Sequence, residues 1–218
     1  MNRDKTKYSG LFIVFEGLDG TGKSTQIKKI KEYLVDKNYD VISLYQPTYG
    51  FYGKKLRDLF IKGHIIPIKD EILLSVNDRR ESVENEIKPA LEQQKIVLLD
   101  RYYWSNAAYQ GILEENYSVI LKKNNEFPDP DIIVFFDIDV QTANKRISDE
   151  RKEKPNQFEA INNLEKSKII FDSIIADKSF KGELIIIDAN KDIDLVFKSI
   201  LKELIPLIEN WNKKRLIY

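Results

Sequence analysis

The sequence predicts an α/β fold built on a five-stranded, doubly wound parallel sheet with helices on both faces. Five short runs rich in β-branched and aromatic residues stand apart along the chain: LFIVF (11–15), DVISLY (40–45), KIVLLD (95–100), DIIVFFDI (131–138) and ELIIID (183–188). Most are apolar throughout rather than alternating, the mark of strands covered on both faces. Between them lie stretches of helical period. Strands that alternate with helices imply right-handed crossovers within one layered sheet.

The elements follow in order. LFIVF leads into a glycine-rich loop, and KSTQIKKIKEYL opens a helix over about 23–37 with Ile27, Ile30 and Leu34 on one stripe. DVISLY is the second strand. A helix over about 69–93 carries Ile72, Val76, Val83 and Ile87 on its core-facing stripe. KIVLLD and a helix over 103–124 come next, then DIIVFFDI with helices over 140–150 and 157–176. ELIIID and a helix over 192–213 close the chain. No repeat, low-complexity linker or break in composition divides it, so one domain over 1–218 is expected. The most polar segment, SDERKEKPNQ (148–157), reads as a short mobile lid.

Composition narrows the class. Lysine plus arginine equals aspartate plus glutamate, at 35 each, which argues against a basic nucleic-acid coat or membrane-surface binder. There is no cysteine, hence no disulfide framework or thiolate metal site, and the single His64 cannot build a histidine-rich one. No apolar run approaches the roughly 20 residues that span a bilayer. The N-terminus MNRDKTKYSG is polar and lacks a signal-peptide core, so a cytoplasmic location is expected.

The loop FEGLDGTGKST (15–25) spaces Gly17-x-x-x-x-Gly22-Lys23-Ser24 as phosphate-binding loops do. Glycines Gly17, Gly20 and Gly22 let the backbone curl so that successive N–H groups, with those of Thr25 and the opening helix, face one concavity. The helix N-terminus adds partial positive charge. Lys23 would reach the outer phosphates of a nucleoside triphosphate, and Ser24 would offer a hydroxyl to Mg²⁺.

Other polar groups point the same way. Asp100 ends an apolar strand, where ligand-facing residues of open α/β sheets sit; it would hold magnesium through water or orient a phosphate-binding arginine. Arg101 adjoins it. Ser105 follows, and Asn106, Tyr109 and Gln110 share one helical side suited to a flat polar ligand. Arg79 lies within the core-facing stripe of helix 69–93, where an unpaired guanidinium is costly. It needs a ligand or a buried acid such as Asp100 or Glu16. The loop's variable positions Leu18 to Thr21 hold no base. The extra charge that phosphoryl transfer needs is therefore expected from Arg146, Arg151, Lys152 or Lys154, with Arg151 preferred.

With these residues in view the chain resembles the thymidylate kinases, from about Leu11 to Asp192, most specifically in FEGLDGTGKST, DRRESVENEIKPAL and DRYYWSNAAYQG. The resemblance implies a P-loop kinase fold, magnesium-dependent transfer from ATP to dTMP, and a homodimer. It implies that Lys23 and Ser24 serve ATP and Mg²⁺, and that Asp19 lies near the acceptor's sugar and phosphate. Tyr49 and Arg101 would contact the acceptor phosphate, Arg79 and Asn106 the thymine edge, and Tyr109 the deoxyribose. Arg146 and Arg151 would approach ATP from the lid, and the loop DANKD (188–192), with Asn190, would hold adenine. Two positions depart from the family pattern. Ser75 stands where a base-stacking phenylalanine is usual, so a compensating ring from Tyr49, Phe51 or Tyr103 is expected. The lid's usual acidic-Arg-aromatic-Glu reads Asn156-Gln157-Phe158-Glu159. The alternatives are a different deoxynucleotide preference, a deoxynucleoside kinase, or a nucleotide-binding switch without turnover.

Overall fold

A computed structural model describes residues 8–62, 66–113, 116–150 and 161–215. All five predicted strands form: β1 (Leu11–Gly17), β2 (Val41–Tyr45), β3 (Ile96–Asp100), β4 (Ile132–Asp137) and β5 (Glu183–Asp188). They make one parallel sheet in the order β2-β3-β1-β4-β5. Every residue of β1 is buried, because neighbours and helices cover both its edges and both its faces. The edge strands β2 and β5 alternate in burial instead, since less of the molecule covers them. In register, Asp100 lies beside both Phe15 and Tyr45, which aligns the carboxyl ends of β1, β2 and β3 at one crevice.

Helices α1 (Lys23–Asp36), α7 (Val140–Glu150), α8 (Ile161–Ala176) and α9 (Ile193–Arg215) follow the expected periods. Three differences bear on the site. A helix α2 (Phe51–Lys62), absent from the sequence reading, follows β2 and buries Leu56 and Leu59. The helix expected over 69–93 runs as α3 (Ile68–Ser82), a π-helical turn (Val83–Ile87) and α4 (Lys88–Glu92). Pro89 lacks an N–H to donate, and the wider turn just before it absorbs that loss without ending the rod. The helix expected over 103–124 divides at Gly111 into α5 (Tyr103–Gln110) and α6 (Tyr117–Lys123), with the Asn116 side chain capping the second.

Candidate active site

β1 delivers the chain into the glycine loop. Gly20 (φ 76°) faces the Ala143 carbonyl so closely that an added Cβ would sit 2.5 Å from it, whereas Gly22 (φ 80°) has open space and needs glycine for its dihedral alone. The first turn of α1 carries no acid, so its positive end is not offset locally; Thr25 is exposed there. Lys23 does not point outward. Its Nζ donates to the carbonyls of Gly17 (3.1 Å) and Leu18 (2.6 Å) and to Thr21 Oγ1 (3.0 Å). Burial, then the charge of Arg101, lowers its pKa to about 8 against the pull of Asp100, Asp19 and Glu16.

Ser24 Oγ donates to Asp100 Oδ2 at 2.6 Å, and Asp100 Oδ1 is buried with no hydrogen-bond partner among the described residues. Hard oxygen donors with one carboxylate oxygen to spare suit Mg²⁺. No cluster of three or more His, Cys, Asp or Glu exists among the described residues, so such an ion would depend on phosphate oxygens and water for most of its shell.

Arg101 follows β3 in the left-handed region (φ 67°), and its N–H donates to the Phe15 carbonyl at 3.0 Å. Its guanidinium donates to Asp19 Oδ1 (2.5 Å), Ser105 Oγ (3.0 Å) and the Gly17 carbonyl (3.2 Å), and faces the Tyr109 ring at 5.1 Å. Burial works against its charge, but Asp19, Tyr109, Asp100 and Glu16 together hold its pKa above the usual arginine value. Glu16, fully buried at the end of β1, accepts from the N–H groups of Tyr102 (3.0 Å) and Ser105 (3.2 Å) and from the Ser105 hydroxyl. Burial raises its pKa, with Ser105 and Arg101 opposing. Tyr109 Oη accepts from the Asp19 N–H at 2.8 Å.

These side chains form one wall of a cavity of about 310 Å³. Asp19, Arg101, Ser105, Asn106, Tyr109, Gln110 and Arg79, all singled out from the sequence, line it together. Gln46, Arg57, Phe60 and Asp78 line it too and escaped the sequence reading. Arg57 and Phe60 stand on α2, so missing that helix hid both. The buried Gln46 amide has no hydrogen-bond partner among the described residues. Asp78 accepts from the Thr48 N–H (3.0 Å) and hydroxyl (2.6 Å), pinning the loop that presents Gln46.

Several expectations need correction. Tyr49 is 66% exposed and does not line the cavity; its ring lies 4.3 Å from the Arg57 guanidinium, which does. None of Tyr49, Phe51 and Tyr103 replaces the ring lost at Ser75: Phe51 is exposed, and the Tyr103 hydroxyl donates to Asp129 Oδ1 at 2.9 Å. The aromatic side chains that line the cavity with Ser75 are Phe60, Tyr102 and Tyr109. Arg79, 3% exposed, pairs with neither Asp100 nor Glu16, which are engaged by Ser24 and by Tyr102 and Ser105. It donates instead to Asn106 Oδ1 (3.4 Å) and Asn124 Oδ1 and faces the Tyr102 ring at 5.0 Å, with burial lowering its pKa.

Towards the other edge of the sheet, Arg146 belongs to α7 rather than to a lid. It donates to the carbonyls of Ala189 (2.8 Å), Asn190 (3.3 Å) and Lys191 (3.2 Å), fixing the loop after β5. Asn190 serves that loop as well: its Oδ1 accepts from the Asp139 N–H at 3.0 Å and its Nδ2 donates to Asp188 Oδ1 at 3.0 Å. Arg151, Lys152, Lys154 and the segment Asn156–Glu159 lie outside the described residues.

The family model described as Thymidylate kinase matches residues 15–200. A thymidylate kinase of Desulfotalea psychrophila is 45% identical over 165 residues, covering 76% of this chain and 82% of that protein. One of Leptospira borgpetersenii is 37% identical over 213 residues, covering 94% and 96%, and one of Thermosipho melanesiensis is 34% identical over 204 residues, covering 92% and 100%. A match of this extent, on a parallel sheet that opens its crevice at a phosphate-binding loop, means that the chain belongs to the thymidylate kinase family.

Proposed function

We propose that this protein transfers the γ-phosphate of ATP to dTMP, giving ADP and dTDP. The cavity beside the glycine loop carries the reading. Arg57 and Arg101 on its lining match an anionic phosphate, and Arg79, Asn106 and Gln110 match the polar edge of a base. Arg57 and Arg101 on that lining favour an acceptor that already bears a phosphate over a free nucleoside.

In this reading the glycine loop and the N-terminus of α1 take the triphosphate. Lys23 exchanges the Gly17 and Leu18 carbonyls for phosphate oxygens. Ser24 and Asp100 would hold Mg²⁺, which would offset charge on the phosphates. Arg101 orients the acceptor phosphate while Asp19 and Ser105 hold its guanidinium. That phosphate is ionised at pH 7, with a second pKa near 6, so no strong general base is required. The Tyr109 ring supports the sugar, and Arg146 and Asn190 shape the adenine loop. On family grounds, a lid expected at about 148–157 would exclude water and bring Arg151 to ATP. We extend the reading, on family grounds, to a cytoplasmic homodimer. No helix among the described residues is long and apolar enough to cross a membrane.

ADP release measured with ATP·Mg²⁺ against dTMP, dUMP, dCMP, dGMP and dAMP tests the assignment. dTMP should give the highest kcat/KM, and a purine ahead by tenfold would overturn the base while leaving the kinase. The same panel tests the ring. Stacking on an aromatic face contributes roughly 1–3 kcal/mol per base, so Phe60→Leu should lower kcat/KM for dTMP by about tenfold. Ser75→Phe alone should crowd the cavity, and the double variant should recover most of the loss. Independent effects of the two substitutions would show that they do not share the base.

The lowered pKa of Lys23 predicts an alkaline limb. The lysine is charged at pH 7 and loses its proton as pH rises through about 8, so kcat/KM for ATP should fall there. In kcat the limb should lie higher, because bound phosphates favour the ammonium, and Lys23→Arg should abolish it. Stability runs the other way. The unfolded lysine, near 10.4, holds its proton between about pH 8 and 10 where the folded one has released it, so the cost of burying the charge is relieved as pH rises through that window.

A further inference from the structure

We propose that Glu71, which does not line the acceptor cavity, is a positioning residue that makes the cavity select thymine over cytosine; this rests on reading that cavity as the dTMP site. Glu71 lies in the first turn of α3 and is 0% exposed. Gln110 Nε2 donates to its Oε1 at 2.6 Å. Gln110 Oε1 in turn accepts from Asn106 Nδ2 and, at 3.2 Å, from the Ser75 hydroxyl. Asn106 Oδ1 accepts from Asn124 Nδ2 at 3.2 Å and from Arg79 at 3.4 Å, and Asn124 Oδ1 also accepts from Arg79. Three amides thus run head to tail from a buried guanidinium to a buried carboxylate, with every N–H aimed towards the Glu71 end.

That direction is dictated by the ends. A guanidinium only donates and a carboxylate only accepts. Turning one amide round would set donor against donor on one side and acceptor against acceptor on the other, and each aligned bond polarises the next. Of the chain, Arg79, Asn106 and Gln110 line the cavity, while Glu71 and Asn124 do not. The result at the cavity is a donor group, Arg79, beside an acceptor, the Asn106 carbonyl. Arg79 Nε is a buried donor with no partner among the described residues. Thymine presents the complement, a carbonyl O4 next to an N3–H. Cytosine presents an amino group next to a bare ring nitrogen, which sets donor against donor and acceptor against acceptor. Asn124 is also tied to the Ile120 carbonyl at 2.7 Å, so the end able to relax is the Glu71 end: once Gln110 turns, its Nε2 meets Asn106 Nδ2, donor against donor, and pushes Asn106 from its place beside Arg79.

Glu71→Gln keeps the shape but removes the accept-only end, since the introduced amide can donate or accept. The ratio of kcat/KM for dTMP to that for dCMP should fall by about tenfold or more, because a site built on hydrogen bonds discriminates through them. Combining Glu71→Gln with Gln110→Glu moves the carboxylate one place along and leaves Asn106 facing an accept-only partner, so the double variant should restore the wild-type ratio. If Glu71→Gln lowers both rates together and leaves the ratio unchanged, the residue only supports the fold and the proposal is overturned. Should that single variant not fold, a folded double variant decides alone: keeping the ratio supports the proposal and losing it overturns it. A wild-type enzyme without dTMP-dependent ADP release would overturn the acceptor reading itself, a result distinct from an unmoved ratio.

Discussion

Lys23→Ala should cut turnover by a factor on the order of 10² or more, the scale of removing one preorganised charge from a phosphoryl-transfer site. The ammonium sits within the curl of the loop, 5% exposed, held by two carbonyls and a hydroxyl. It is held within the loop until phosphate oxygens take the carbonyls' place, and an alanine offers nothing in its stead. Stability should change little, because two opposing terms meet. The variant loses three hydrogen bonds, leaving the Gly17 carbonyl to Arg101 and the Leu18 carbonyl to the Thr21 hydroxyl, but it also removes a buried positive charge whose cost shows in its lowered pKa. Steady-state assays beside thermal unfolding check both halves. Turnover within a few-fold of wild type, with ATP still bound, would mean that the loop does not handle the transferring phosphate.

Arg101→Ala should cost a comparable factor in kcat/KM for dTMP, on the order of 10². Unlike the lysine change, it should also lower stability. The side chain joins Asp19, Ser105 and the Gly17 carbonyl, and its positive charge steadies the buried Glu16. Because Asp19 keeps 32% side-chain exposure, water takes up part of the loss, and a cost of roughly 1–2 kcal/mol is expected rather than that of a fully buried pair. A second signature separates this from mere loosening. Arg101 is one of the groups that lower Lys23, so in the variant the alkaline limb for ATP should move above pH 8. A limb that stays put would mean that Arg101 does not act on Lys23, and dTMP kinetics within a few-fold of wild type would mean that Arg57 alone carries the acceptor phosphate.

What the sequence made legible follows from where each side chain gets its meaning. The strands were readable because a strand covered on both faces must be apolar throughout, and the glycine loop because its spacing is fixed by backbone geometry. Helix α2 was not, because Gly50 and Gly53 punctuate its start and its apolar residues do not keep to one face, Phe51 and Ile61 being exposed while Leu56 and Leu59 are buried, and with it went Arg57 and Phe60. The burial of Arg79 could be read from its place in an apolar stripe, but its partners could not. A stripe says that a charge is covered, not whether carboxylates or amides cover it, and Asn124 lies beyond every motif. The inward turn of Lys23 was hidden for the same reason: spacing defines the loop, not the direction of a flexible side chain.

The backbone of Arg101 carries a separate consequence. At φ 67° an L-residue with a Cβ is strained by about 1–2 kcal/mol, and only glycine would rest there without that cost. The next residues need the turn, since the Tyr102 and Ser105 N–H groups reach Glu16 through it. The side chain wanted at this position and the dihedral wanted there thus make opposite demands on one codon. Glycine at 101 would relieve that strain but lose the Asp19, Ser105 and Gly17 contacts, so two effects of roughly 1–2 kcal/mol each offset one another. The contacts that aim the guanidinium are thus also what keeps the strained dihedral occupied.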